Sequence, residues 1–480
     1  MPAGQGILGV LSTRCPDQEG TYKVNATSTV SVRVEGGGDQ VVAHVGLHAL
    51  GSFADRLGLG DELSAAVAAG GDQRLLGHDR GKVLTQVMLM LAGGGECCGD
   101  IEYLRAQPGL FGPVPSDSTV WRTFARIDKT TLGYLAQAMA AVRSQVWSRS
   151  AATTGVAPVV LDIDASLVEI HSEHKEGTAP SYKGGFGFHP MFCFADATGE
   201  ALAGLLRPGN AAANSIDDHL AVLDQAIVQL PEQIAAGHHV GAEPDSVARE
   251  IRVRADSAGC STRFVAGCRA RNIGFSVVAR SNRAITAAIS VVAADEDRWA
   301  AAIDQDGDDR DRSGVVEVTD LVDLSAWPAG TRLIVRREPL HPGAQTTLFP
   351  SLEFRYWGHY TDQAGDPAVL DADMRAHAHV EDHIRRLKTS GLERFPFADL
   401  TANRAWMAVV CFAADLVRWF QLLCLTGTLA VAEPKTLRWA LWHTPARIVA
   451  RARQHVVRIL DGWPTATSLL EAYRHIALLA

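Results

Sequence analysis

The sequence has few of the features that mark secreted, zinc-binding or membrane proteins. Its eight cysteines include the adjacent pair Cys97 and Cys98 but form no Cys-x-x-Cys spacing, which argues against a zinc ribbon and favours free thiols in a reducing cytoplasm. The first 20 residues contain no basic segment followed by an apolar core, so no secretory signal is predicted. The most apolar stretch, residues 405–432, is interrupted by Asp415 and Arg418 and is predicted to be a buried helix, not a membrane span.

The chain also lacks the excess of positive charge that marks many nucleic-acid-binding proteins. Its 45 Lys and Arg residues are outnumbered by 54 Asp and Glu residues, which gives a net charge of −9. The charge is unevenly spread, because residues 375–460 contain 13 Lys or Arg and 6 Asp or Glu, whereas residues 294–314 are strongly acidic and are predicted to form a solvated, loop-rich insertion. A basic C-terminal part could hold a DNA backbone despite the acidic total, and ordinary solvated helix faces would explain the same charges equally well.

The hydrophobic pattern divides the chain into five regions. Hydrophobic content of 47% and charged content of 21% are typical of soluble globular proteins, and 480 residues suffice for several domains. Strand and helix patterns alternate after residue 155, which predicts a mixed α/β core. The predicted regions are a helical N-terminal region over 1–150, the first part of the core over 155–282, a β-rich and acidic insertion over 283–360, the last part of the core over 361–430, and a helical C-terminal region over 431–480.

One helix of the N-terminal region has an unusual surface. The segment PSDSTVWRTFARI, residues 115–127, offers a Ser or Asp helix cap followed by Trp121 and Arg122, which are predicted to be exposed. It is a candidate recognition helix of a helix-turn-helix, and plain packing within a helical bundle is the alternative.

Two aspartates lie within a predicted buried strand, VVLDIDASLV, residues 159–168. Asp162 and Asp164 are two residues apart, so their side chains project from the same face of the strand. Adjacent buried carboxylates repel each other, and the pKa of at least one should rise unless a positive charge compensates. A divalent cation is the usual compensation. Asp256 ends the later strand IRVRADS, at a sheet edge where ligands often bind; capping the following helix is the alternative role.

A third acidic candidate lies in the segment MRAHAHVEDHIRRLK, residues 374–388. If this segment is helical, His377, Glu381, Ile384 and Lys388 share one face, so an acid for a metal and a cation for phosphate lie on one stripe. A charged surface helix is the alternative. A zinc-protease helix is rejected, because Glu381 would face away from the pair His379 and His383.

These segments resemble a known family, the DDE transposases of bacterial insertion sequences, in the branch whose third acid lies in a Tyr-x2-Arg-x3-Glu-x6-Lys helix. The matching stretches are residues 161–220, which include the motif YKGGFGFHP, together with RADSAGC at 254–260 and HVEDHIRRLKTSGLERFPF at 379–397. The resemblance covers roughly residues 45–480. The sequence departs from the signature at two positions, with Met374 in place of the Tyr and His377 in place of the Arg.

The resemblance implies an α/β fold with an RNase H-like catalytic core, a β-rich insertion and a DNA-binding N-terminal region. It implies that Asp164, Asp256 and Glu381 are catalytic and hold two Mg²⁺ ions, with Mn²⁺ as an alternative, and that Asp162 is a further ligand or a supporting neighbour. The expected activity is cleavage at the ends of a mobile element followed by strand transfer in a cut-and-paste reaction. Expected DNA contacts are Lys388, His377, Arg385, Lys183, His189, Trp121 and Arg122.

The resemblance further implies double-stranded DNA as the partner, a homodimer in the DNA complex, no membrane association, and a bacterial cytoplasmic, nucleoid-associated location. Two alternatives stay open. The substitutions at Met374 and His377 favour a catalytically impaired or domesticated relative that only binds DNA, and a metal-dependent hydrolase of small substrates is a third interpretation.

Overall fold

A computed structural model describes residues 22–24, 32–34, 40–71, 77–151, 153–155, 157–304, 306–340, 354–451 and 454–479. Helices dominate the first third of this part. The short strands β1 (Tyr22–Val24) and β2 (Val32–Val34) pair with each other, and β3 (Val41–Val42) precedes the helices. The helices are α1 (Val45–Arg56), α2 (Leu59–Ala69), α3 (Arg80–Ala92), α4 (Glu102–Arg105), α5 (Pro108–Phe111), α6 (Asp117–Phe124) and α7 (Lys129–Trp147).

Strands and helices then alternate. Side chains cap three of the helix starts in this region, as where the hydroxyl of Ser215 accepts from the backbone N–H of Asp218. The elements are β4 (Val159–Ala165), β5 (Val168–Glu169), β6 (Ala179–Pro180), β7 (Phe186–Phe188), β8 (Met191–Ala195), β9 (Glu200–Leu205), α8 (Ile216–Ile227), α9 (Glu232–Ala235), β10 (Ile251–Ala255), α10 (Thr262–Arg269), β11 (Ile273–Val278), α11 (Arg283–Val292), β12 (Ala300–Ile303), β13 (Asp309–Glu317), β14 (Arg332–Pro339) and β15 (Phe354–Thr361).

A nine-stranded sheet organises these elements, in the order β12-β13-β14-β15-β11-β10-β4-β8-β9. Strand β10 runs parallel to β4 and to β11, and the other neighbours are antiparallel. The central strands are rich in buried apolar residues, such as Leu161, Val253 and Phe275, as expected for strands covered on both faces. The predicted mixed α/β class is therefore confirmed.

The acidic stretch within the β-rich insertion differs from its prediction as a loop. Residues 294–314 were expected to form a solvated acidic loop, but they include β12 and much of β13. The charged side chains of β13 are mostly exposed, while Ala302 and Val315 pack with Ile334 from β14, so a small apolar cluster supports strands that composition alone conceals. Because β15 pairs with β11, the insertion continues the core sheet.

The C-terminal part also differs from its helical prediction. It contains α12 (Pro367–Arg375), α13 (His379–Leu387), α14 (Leu400–Cys424), α15 (Pro434–Leu437), the hairpin strands β16 (Ala446–Arg451) and β17 (Gln454–Ile459), and α16 (Ala466–Leu478). The hairpin forms where both strands carry adjacent β-branched residues, Ile448 and Val449 in β16 and Val456 and Val457 in β17. Strand β16 also pairs with β3, which joins the two ends of the described chain.

The long helix α14 lies in the core. Its length and composition would allow it to cross a membrane, but 72% of its most apolar window is buried inside the protein. Trp406 and Trp419 on this helix are fully buried. The helix therefore packs as the buried core helix predicted from the sequence.

A buried polar network joins the N-terminal helices to the sheet and to α14. Arg143 of α7 donates from Nε to Glu200 of β9 (2.8 Å) and from Nη2 to Asp415 of α14 (2.5 Å). The indoles of Trp147 and Trp419 donate to the same Glu200 carboxylate, at 2.7 and 2.6 Å. Three elements distant in sequence thus share one fully satisfied charge cluster.

Replacing Arg143 by Met should destabilise the protein strongly, by ~3–5 kcal/mol, because the buried Glu200 would lose its counter-ion. Asp415, whose pKa burial raises to about 8, would lose a hydrogen-bond donor. Urea unfolding would measure the change. The matched control is Arg105→Met, which breaks the exposed pair with Glu102 and should change stability little. Equal effects of the two changes would contradict the assigned importance of the buried network.

Candidate active site

Two of the three predicted acids are neighbours because of the strand register. In the parallel pairing of β4 with β10, Asp162 lies opposite Arg254 and Ile163 opposite Ala255. Asp164 and Asp256 come next on their chains, and both point to the same face as the Asp162–Arg254 pair. Adjacent strands lie about 4.8 Å apart, so the two carboxylates face each other at one end of the sheet.

Asp256 is available for chemistry because another residue caps the following helix. Ser261, not Asp256, accepts the backbone N–H of Phe264 at the start of α10. The Asp256 side chain accepts only a local bond from the N–H of Ala258, at 2.8 Å. The alternative role of Asp256 as a helix cap is therefore wrong.

The pKa values of the two aspartates of β4 are shifted in opposite directions. Asp162 is buried, and although burial alone would raise its pKa, hydrogen bonds from His377 and Arg254 outweigh that effect and lower the pKa. For Asp164 the described residues provide a backbone donor, the N–H of Ala165, and no hydrogen bond from Arg or His. Burial and the negative charges of Asp256 and Glu381 raise the pKa of Asp164 to about 6, against a bond from its neighbouring backbone N–H.

Hydrogen bonds on either side of Glu381, made by His377 and Lys388, tie its helix to this edge of the sheet. Nδ1 of His377 donates to Oδ1 of Asp162 at 2.8 Å, since an ionised carboxylate can only accept. Nζ of Lys388 donates to the carbonyl of Leu167 at 3.0 Å. Glu381 lies between these anchors on the same face, with an exposed side chain, and its charge acts on Asp164.

The donor set suits a hard divalent cation. The carboxylates of Asp256 and Glu381 act on Asp164, and burial together with these charges raises the pKa of Asp164 although His377 lowers it. Carboxylate oxygens are the ligands that hard cations prefer. Within the described ranges, no three His, Cys, Asp or Glu side chains already stand close enough to enclose an ion. The carboxylates would therefore have to turn toward one another to hold it.

The predicted DNA contacts divide by exposure. Lys183 is exposed beside Tyr182, whose side chain is 72% exposed, in the loop before β7. After this loop β7 packs against β5, where Gly187 lies against the carbonyl of Val168 and a Cβ would be only 2.1 Å away. Trp121, which is 53% exposed, and Arg122 lie on the surface of α6. Their role in DNA recognition stays a prediction.

The remaining predicted contacts face the protein. His189 is buried and bonds through Nδ1 to the carbonyl of Ala211, so it does not present its ring to DNA here. His377 is also buried, against Asp162. Arg385 is exposed but engaged by Asp382 and Glu433. These positions support the surrounding structure.

Sequence reasoning missed Arg254, which is 1% exposed and contacts Asp162, Asp196 and Asp373. A signal was present in RVRADS, because Arg254 precedes Asp256 by two residues just as Asp162 precedes Asp164. The two pairs therefore share a face, and a buried Asp beside a buried Arg would satisfy both.

Comparisons with known proteins show the family to which the chain belongs. The family model described as Transposase DDE domain group 1 matches residues 24–480. No curated protein matches the chain. Among solved structures, the chain is similar to a piggyBac transposase in a synaptic complex with hairpin DNA, determined by cryo-EM, with 9% identity over 83% of this chain and 80% of that one and a TM-score of 0.40. A TM-score of this size fixes no detail of the site.

Asp164→Asn should stabilise the metal-free protein at pH 7.5 by roughly 2 kcal/mol, a value reduced for partial exposure of the side chain. The folded protein binds this proton more tightly than the unfolded chain, so the native ionised form is penalised above the raised pKa of about 6. The advantage of the variant should shrink as the pH falls from about 6 toward the ordinary value of 3.8. Urea unfolding with EDTA at several pH values would measure it.

Asp162→Asn, two residues away, provides the control with the opposite sign. The pKa of Asp162 is lowered in the folded protein, so its ionised form is stabilised and the variant should be less stable than wild type at pH 7.5. A loss of stability in both variants would contradict the assignment of Asp164 as the uncompensated carboxylate.

Proposed function

We propose that this chain, which belongs to the Transposase DDE domain group 1 family, cuts DNA at the ends of a mobile element and joins those ends to target DNA. The family resemblance noted in the sequence is thus confirmed, while the bacterial insertion-sequence branch, the RNase H-like core and the cut-and-paste course belong to the proposal. The observation that carries it is the β4–β10 register, which ends with Ile163 opposite Ala255 and so brings Asp164 and Asp256 to one edge of the sheet, where the charge of Glu381 also acts on Asp164.

Asp164, Asp256 and Glu381 would hold the divalent ions, Mg²⁺ or alternatively Mn²⁺. Such ions, when bound, activate an attacking oxygen and stabilise a leaving oxygen in phosphoryl transfer. Their charge would also balance the carboxylates, and Asp164 would then be ionised at neutral pH. Asp162 is already satisfied by Arg254 and His377, so it serves as a supporting neighbour and not as a ligand.

Two lysines next to the acids would position the DNA backbone. Burial lowers the pKa of Lys388, and the nearby charge of Lys183 lowers it further, while Asp164 acts in the opposite direction. The two ammonium groups therefore lie close enough to influence each other, and Lys388 lies close to Asp164. A phosphate bound between them would present its neighbouring phosphodiester to the carboxylates.

The assembly follows from the reaction. Joining two element ends requires two sites to act together, so we propose a homodimer on double-stranded DNA, acting in a bacterial cytoplasm in association with the nucleoid. The exposed Trp121 and Arg122 of α6 are the proposed contacts of the N-terminal region with the DNA.

A DNA-binding relative without activity is the second candidate. Met374 and His377 stand where the branch signature has Tyr and Arg, and both are buried, so neither reaches a DNA backbone. The three acids are present, which favours the active enzyme. Cleavage assays separate the two candidates.

Wild-type protein should cut double-stranded DNA carrying the inverted repeats that flank its reading frame, in the presence of Mg²⁺. Asp164→Ala, Asp256→Ala and Glu381→Ala should each reduce the rate at least about a thousandfold, because the acids act as a unit. Gel analysis of end-labelled DNA would measure the rates.

Asp382→Ala is the matched control, since Asp382 adjoins Glu381 but bonds Arg385 and Arg386. It should stay within a few-fold of wild type. Cutting by all three acid variants would refute the site, and repeat-specific binding without cutting by wild type would support the DNA-binding relative.

Lys183→Ala should weaken DNA binding on all sequences alike and reduce the slope of log affinity against log salt by about 1, as expected when one phosphate contact is lost. Lys183→Arg, which keeps the charge, should retain the slope. Fluorescence anisotropy over a salt series would measure both variants. An unchanged slope in Lys183→Ala would place the DNA elsewhere.

A further inference from the structure

A single buried guanidinium gathers acidic groups from three elements beneath the candidate active site. Arg254 donates to both oxygens of Asp162, from Nε at 2.9 Å and from Nη2 at 2.7 Å. Its Nη2 also lies 2.9 Å from Asp196, and its Nη1 donates to the carbonyl of Asp373 at 2.7 Å. With His377 on Asp162, these five residues form what we call the Arg254 hub.

The hub fixes the turn of chain that leads into the helix of Glu381. Asp373 lies near the end of α12, and His377 lies in the short turn between α12 and α13. Both are tied to the sheet through Arg254 and Asp162. His379, which begins α13, pairs more loosely with Asp196 at 3.4 Å. The start of the Glu381 helix is therefore bound to β4 itself.

The hydrogen bonds of the Arg254 hub fix the orientation of its side chains as well as their separation. The planar fork of Arg254 engages both oxygens of Asp162, which fixes relative orientation as well as distance. All three hydrogen bonds to Asp162 come from groups that are themselves buried. Asp162 is two residues before Asp164 on one strand, and His377 is one helical turn before Glu381. The His377–Asp162 bond thus joins the supports of two proposed metal ligands.

We infer that the Arg254 hub is a positioning device that sets the distance between Glu381 and the Asp164–Asp256 pair. This inference rests on the proposed function, because it concerns the residues assigned there to the divalent ions. The hub residues act through Glu381 and touch neither DNA nor ion.

The test compares two substitutions at His377. His377→Asn keeps a donor, because the Asn amide nitrogen is as many bonds from the backbone as Nδ1, whereas His377→Ala removes the donor. In His377→Ala, the Mn²⁺ concentration for half-maximal DNA cleavage should rise at least about tenfold, as for other partners that orient metal ligands. The rise in melting temperature that Mn²⁺ produces without DNA should fall in parallel. His377→Asn should stay close to wild type in both readouts.

Glu200→Gln controls for a loss of stability alone. It perturbs the other buried charge network, around Arg143, and should lower the melting temperature without changing the Mn²⁺ dependence. Arg254→Lys, which keeps the charge but loses the fork, should behave as His377→Ala where it folds.

The outcomes separate the two proposals. If wild type cuts DNA and binds Mn²⁺ through Asp164, but His377→Ala shows the Mn²⁺ dependence of wild type, the hub has no positioning role. The same conclusion follows if His377→Asn fails as badly as His377→Ala. If wild type neither binds Mn²⁺ nor cuts in a manner that needs Asp164, the proposed function itself fails, and the inference fails with it.

Discussion

The parallel hydrogen bonding between β4 and β10 fixes which groups meet at the end of the sheet. It places Asp162 opposite Arg254 and, one step further, brings Asp164 beside Asp256. A shift by one residue in either strand would turn the acids to the opposite face and pair Asp162 with an apolar residue. The register therefore produces an ion pair within the core, Asp162 with Arg254, and two neighbouring carboxylates at the edge of the sheet, Asp164 and Asp256. The helix of Glu381 is anchored to the ion pair and lies near the two carboxylates.

The same motif, two aspartates on one strand, thus produces two different chemical environments. Arg254 and His377 make Asp162 a permanent anion inside the protein. Asp164 is held by no such bonds within the described residues, so burial and the charges of Asp256 and Glu381 make its ionisation costly. In the proposed function, the repulsion between these carboxylates would favour the binding of a divalent cation, and the hydrogen-bonded Asp162 would hold the ligands of that cation in place.

Much of this site could be predicted from the sequence, because it depends on short-range rules. Strand alternation put Asp162 and Asp164 on one face, and helical spacing aligned His377, Glu381 and Lys388. Features that depend on distant pairing could not be predicted. The strands in residues 294–314 are hidden by exposed charges and exist because Ala302 and Val315 find partners in β14. The β16–β17 hairpin and its pairing with β3 likewise depend on contacts across the whole chain, as does the burial of His189.

The continuity of the inserted strands with the core has a consequence for the evolution of such chains. Strand β15 covers the edge of β11, so the insertion completes the sheet that carries the acids. A shortened descendant that lost β12 to β15 would expose the unpaired backbone N–H and C=O groups of β11, and such an exposed edge strand promotes aggregation. Loss of this segment would require another element to cover the edge of β11. The length of the insertion is therefore less constrained than its presence.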